Sequence, residues 1–411
     1  MKLSRIERIF NFPFVRNDVG TPDFNRLCSC SKNHVVNDPK EKQLNMKQKF
    51  SVLSLMAALA LIACITGSAF AQEADTVPAH PMFERLRPVL RNDAAKPATP
   101  LTTWNGSFVY NKKTYNYNMV GQAPSTGKST TIPVFIIPVV LKFTSKGKTT
   151  TFSPLTKLKN GQTAVANTTA SPLFNNLDFK SGGVDMGTTQ YEDAFQRGNF
   201  WGTVSKSTGY HMLVGKPTTL PTLTLTVPSA DGAVATEFGI TVGTADITWF
   251  DGQLQSYITK HTQIVPNSLP IFITYNSYLT EFGGCCIGGY HSAFGSSSAP
   301  QAYAHFTYIS TPGIFSQDVS ALSHEMGEWM DDPLVVNTNG NTVSCGILEV
   351  GDPEEGFSNY GAFPYTLGGS TYNLQDLTYL EYFGAPNTTS VGGLLTFQGN
   401  PFNLKVCSNG G

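Results

Sequence analysis

From Trp104 onward the chain alternates between apolar and polar positions, the signature of half-buried strands. Phe108–Tyr110, Tyr115–Val120 and Ile132–Phe143 are rich in aromatic and β-branched residues and are predicted strands. Pro133 and Pro138 assign the last of these to an edge or a bend, because proline cannot donate to a ladder. Thr222–Val227, Phe238–Phe250, Ile271–Tyr278 and Ala302–Ile309 continue the strand pattern. Two stretches switch to helical spacing. Thr188–Trp201 is a predicted helix that packs Tyr191, Ala194 and Phe195 on a sheet, with Glu192, Asp193 and Arg197 on its solvated face. Ser316–Pro333 is the second. Ser316 or Asp318 can cap its start, and Pro333 stops it. Val319, Leu322, Met326, Trp329 and Met330 form one apolar stripe for the core. His324, Glu328 and Asp331 lie on the opposite face, with Glu325 to one side.

The N-terminal quarter breaks this pattern. Lys47, Gln48 and Lys49 precede an apolar run, Phe50–Ile65, and small residues lead to Ala69-Phe70-Ala71, the pattern a signal peptidase reads. The expected signal peptide spans residues 46–71, and the working protein begins near Gln72. The run is short for a membrane span and lacks a positive stop-transfer cluster. Leu61-Ile62-Ala63-Cys64 resembles a lipobox, so a lipid anchor at Cys64 is the lower-ranked alternative. Residues 1–45 are polar and aperiodic, and are expected to be a misassigned upstream extension or a disordered leader. Residues 72–103, rich in Pro and Ala, read as a linker or pro-segment. Beyond them lie a β-rich region, 104–266, and a C-terminal region, 267–411, that carries the chemistry.

Export changes the reading of the other signals. A secreted location, extracellular or periplasmic, is an oxidising one. Of seven cysteines only Cys285, Cys286, Cys345 and Cys407 fall in the mature chain, and an even number there suggests two disulfides. Cys285 and Cys286 are each expected to reach one of Cys345 and Cys407, a vicinal bridge being the least favoured pairing. A formal net charge of −1 gives no electrostatic case for nucleic acid. Gly121–Ser129 resembles a phosphate-binding loop, but it has one residue too many between its glycines and no strand–loop–helix context; it reads as a surface turn.

The chemistry concentrates on the second helix. His324 and Glu328 are four residues apart and project together from adjacent turns, which is how a helix offers two ligands to one metal. Glu325 follows the histidine directly, within reach of a metal-bound water. Although charged residues make up only 14% of the chain, acids cluster here and at Glu349, Asp352, Glu354 and Glu355; like charges so close repel unless a cation binds them. The stretch Gly283–His291 reads as a glycine-rich loop, from which His291 or Tyr290 could stabilise an oxyanion or His291 could ligate a metal.

His324-Glu325-Met326-Gly327-Glu328 resembles the zincin metallopeptidase signature with glutamate in the second ligand position. The resemblance implies His324, Glu328 and a downstream Glu349 as zinc ligands and Glu325 as general base; the residues themselves leave Asp352 or His291 open as the third ligand in place of Glu349. It also implies that the strand Ala302–Ile309 binds substrate backbone. The expected fold is α+β, a β-rich N-terminal part with a zincin-like C-terminal part built around one metal-site helix. The expected function is a secreted zinc peptidase acting on a protein or peptide. The alternative is a secreted β-rich binding or adhesion protein with a structural Ca²⁺, which carboxylates also suit.

Overall fold

A computed structural model describes residues 82–85, 88–91, 99–206, 209–337 and 348–400. The upstream extension, the signal segment, Cys64, Cys345 and Cys407 lie outside the described residues. No helix among the described residues is long and apolar enough to cross a membrane.

A mixed sheet of twelve strands organises the protein. Its principal path runs Thr218–Thr219, Val134–Ser145, Leu269–Tyr275, Ala299–Tyr308, Gly284–Ser296, Ser277–Glu281, Ile240–Asp246 and Gly232–Glu237. Leu269–Tyr275 and Ala299–Tyr308 are apolar, small or capped polar residues, with every position of the latter buried. Such strands suit the middle of a sheet covered on both faces. One cover is the Ile247–Lys260 helix, and another is the Ser320–Asp331 helix.

This architecture corrects the expected fold class. Strands account for 43% of the structure and helices for 20%, in a nearly closed sheet. The region after residue 267 is not a zincin-like helical part: its first strand, Leu269–Tyr275, pairs in parallel with Val134–Ser145, so one sheet crosses the 266/267 division. Five α-helices occur among the described residues, and only one of them follows residue 267. The physical reason lies in the continuous apolar runs of residues 269–309, which need cover on two faces and obtain it inside the sheet.

Several local readings change as well. Val134–Ser145 is an interior strand, flanked at Phe135 by both Leu269–Tyr275 and Thr218–Thr219. Pro138 is tolerated because pairing with Leu269–Tyr275 ends at that residue and pairing with Lys148–Phe152 begins only at Leu141. The predicted strand Phe238–Phe250 divides after Asp246, whose carboxylate accepts from Trp249 N at 2.9 Å and caps a helix that buries Phe250, Leu254, Tyr257 and Ile258. The helix predicted over Thr188–Trp201 is present as Tyr191–Asn199, but its acids are not solvated: Glu192 and Asp193 are buried. Asp193 accepts from Met212 N and Thr189 Oγ1, both at 2.6 Å, and meets His211 Nδ1 at 2.8 Å. The phosphate-loop lookalike forms a short 3-10 turn, Pro124–Thr126, between two strands. Cys285 and Cys286 bond to each other rather than to distant cysteines. Within the expected linker, Met82–Arg85 and Val89–Arg91 run parallel to Gly284–Ser296.

Candidate metal centre

The Ser320–Asp331 helix has the predicted apolar stripe, but its polar face is buried too. It is not a cleft-lining surface helix. Asp318 accepts from Val319 N and, at 3.0 Å, from Asn373 N, while Ser316 Oγ donates to Thr307 O; neither acts as a side-chain cap of the first turn. The polar side of the helix meets Gly284–Ser296 and the segment Leu348–Glu355. Gly284–Ser296 is a strand, not the predicted loop. It places His291 beside the helix, with Nδ1 at 3.2 Å from Glu325 Oε2 and 3.6 Å from Glu328 Oε2. His324 Nε2 lies 3.0 Å from Glu328 Oε1 and 3.6 Å from Asp352 Oδ1. Glu349 reaches the same space, with ligand atoms of His291, Glu328 and Glu349 all within 4.8 Å of one another.

Two glycines permit this closeness. A Cβ on Gly351 would stand 2.3 Å from His324 Nδ1, and one on Gly289 would stand 2.8 Å from Glu325 Oε1. Only a residue without a side chain lets the backbone pass so near the imidazole and the carboxylate.

The hydrogen bonds fix both imidazole tautomers. Gln375 Nε2 donates to Gly351 O at 2.9 Å, which turns Gln375 Oε1 toward His324 Nδ1, also at 2.9 Å. His324 Nδ1 therefore carries the proton, and Nε2 presents a lone pair to Glu328 and Asp352. His291 Nε2 faces the carbonyl of Asp332 at 3.2 Å and must donate to it, leaving Nδ1 as the lone-pair nitrogen toward Glu325 and Glu328. Metal-ligating histidines are held in this way, with the outward nitrogen donating to a carbonyl.

The electrostatics agree. Burial pushes His324 down to about 4, against the opposing pull of Asp352, so its ring is neutral near pH 7. Burial, then the charges of Glu328, Asp352, Glu349 and Glu355, pushes Glu325 well above the usual carboxylate range. Burial and Asp352 raise Glu328 similarly, although Gly351 N donates to its Oε1 at 3.2 Å. Lone pairs of two imidazoles and several carboxyl groups thus converge on one buried space, where protons on the carboxyls or a cation between them would relieve the repulsion. Glu325 Oε1 is buried without a hydrogen-bond partner.

All five residues read from the sequence, His291, His324, Glu325, Glu328 and Glu349, are brought together. Tyr290 is not among them; its hydroxyl donates to Asp251 at 3.0 Å elsewhere in the sheet. His305 is buried, bonded to Thr274 Oγ1 at 3.1 Å, and its strand is paired along both edges, so it is not open to substrate backbone. Asp332 uses its carboxylate to hold Val336 N and Asn337 N. Sequence reasoning missed Gln375 as the holder of His324, and no local pattern marks it. Glu355, grouped with His324 and Asp352, was visible only as one more acid. The chain matches no protein-family model, no curated protein and no solved structure.

Proposed function

We propose that this chain is an exported metal-dependent hydrolase that cleaves peptide bonds in a protein or peptide substrate, with zinc as the bound ion. The observation that carries the reading is the pair of imidazoles, each fixed by an outward hydrogen bond so that its lone pair faces the carboxylate of Glu328. Imidazole nitrogen favours zinc over calcium. A zinc ion lowers the pKa of bound water toward neutrality. Glu325, with one oxygen free of hydrogen bonds, is the general base. Asp352, 32% exposed, is where solvent reaches the centre. The signal pattern ending at Ala71 supports export.

The test is elemental analysis of protein purified without added metal, joined to cleavage of generic protein substrates with and without chelator. The expected result is bound zinc and chelator-sensitive cleavage. Glu325→Gln should keep the ion and lose about 10²–10⁴-fold in rate. No bound ion and no chelator-sensitive cleavage reject the proposal. The near-complete burial of Glu325, Glu328 and Glu349 favours one rival, a binding protein with a structural calcium. Bound calcium, with properties unchanged in Glu325→Gln, selects that rival.

A further inference from the structure

We propose that the centre holds two divalent cations bridged by the carboxylate of Glu328. This rests on the metal-dependent reading above and specifies the ion content of the same site. The first observation is the splitting of one carboxylate between two imidazoles. Glu328 Oε1 lies 3.0 Å from His324 Nε2, and Glu328 Oε2 lies 3.6 Å from His291 Nδ1. A mononuclear site would gather both nitrogens at one point, whereas here each faces a different oxygen, the arrangement of a bridge.

The second observation is how the remaining acids divide. Asp352 and Glu355 group with His324, and Glu349 groups with His291 and Glu328, each set having its ligand atoms within 4.8 Å of one another. Each position thus has its own imidazole, its own carboxylate and one oxygen of Glu328. Glu325 borders both, since it also groups with His324 and Glu328 while touching His291.

Pairs of ions about 3.5–4 Å apart are a recurrent arrangement in hydrolytic enzymes, where they hold the attacking and leaving oxygens together.

The test is titration of the demetallated full chain with Zn²⁺ and, separately, with Mn²⁺. Two ions per chain are expected at saturation, and the Mn²⁺ protein should give the spectrum of an exchange-coupled pair by electron paramagnetic resonance. Asp352→Asn removes an acid at the partly exposed edge; it should drop the content to one ion and turn the spectrum into that of isolated Mn²⁺. One ion per chain with an isolated-ion spectrum in the unaltered protein overturns the bridged pair and leaves the hydrolase reading standing. No ion at all overturns both. If circular dichroism shows that Asp352→Asn does not fold, the stoichiometry and coupling of the unaltered protein decide alone.

Discussion

Two groups of buried acids touch the Ser320–Asp331 helix, and they are built on different principles. In one, Glu325, Glu328 and Glu349 share their space with the lone-pair nitrogens of His291 and His324. In the other, Asp331 is met by amide donors, Gln196 Nε2 and, at 3.5 Å, Asn199 Nδ2, and lies near Glu192. Among the described residues no imidazole bonds to Asp331 or Glu192. Burial pushes Asp331 up to about 8, and burial followed by the charge of Asp331 pushes Glu192 well above the usual range, so proton uptake resolves it. The first group differs in that its imidazoles donate outward and present lone pairs inward, toward the carboxyls, which is the orientation a bound cation requires. Acid count alone does not define a metal site; the orientation of neighbouring donors decides whether protons or a cation supply the positive charge.

The sharpest way to break this comparison is Glu328→Gln. It removes the carboxylate shared by both imidazoles and should weaken ion binding by at least about 100-fold, read by calorimetric titration. Gln375→Leu removes no ligand but frees the His324 tautomer and the Gly351 carbonyl that Gln375 holds; a loss of about 10–100-fold in ion affinity is expected. An unchanged affinity would show that the tautomer is set by something else. A third test concerns His305, which burial alone pushes down to about 3. The unfolded chain takes up that proton near pH 6.5, so the native state binds fewer protons between about pH 3 and 6.5. Stability therefore falls as pH drops through this window, by up to about 1.4 kcal/mol per unit. His305→Gln should flatten that slope in urea titrations. The smallest effect belongs to Glu192→Gln. Burial already disfavours its charged form, so stability should change by less than about 1 kcal/mol and ion content not at all. A fall in ion content would merge the two acid groups into one site.

Much of the local structure was legible in the sequence. Aromatic and β-branched runs located several of the strands, and the apolar stripe from Val319 to Met330 located the Ser320–Asp331 helix, because both patterns record burial against a sheet. The Ile247–Lys260 helix was hidden by β-branched residues that continue from the preceding strand into its first turn. The polar face of the Ser320–Asp331 helix looked solvated because its partners, His291 on a strand and Gln375 far downstream, share no local pattern with it. The glycines that admit them, Gly289 and Gly351, read as loop punctuation until the side chains facing them were in view. The likeness to zincins singled out His324, Glu325, Glu328 and Glu349, which the structure brings together, while implying a scaffold that the sheet does not have. Cysteine counting gave the wrong partner for Cys285, because adjacency in sequence argued against the bond the structure contains.

The short strand Met82–Arg85 carries a consequence for the order of folding. Met82 pairs with Ile287 and Arg85 with His291, residues about two hundred positions further along the chain. The backbone beside one histidine of the centre is thus completed by the earliest described segment, which must wait until most of the chain has emerged. Each doubling of the intervening length adds only about 0.6 kcal/mol of closure entropy, so the delay is kinetic more than thermodynamic. Until that edge closes, the part of the strand around Tyr290 and His291 lacks a partner on one side, and the order of synthesis runs opposite to the order of assembly.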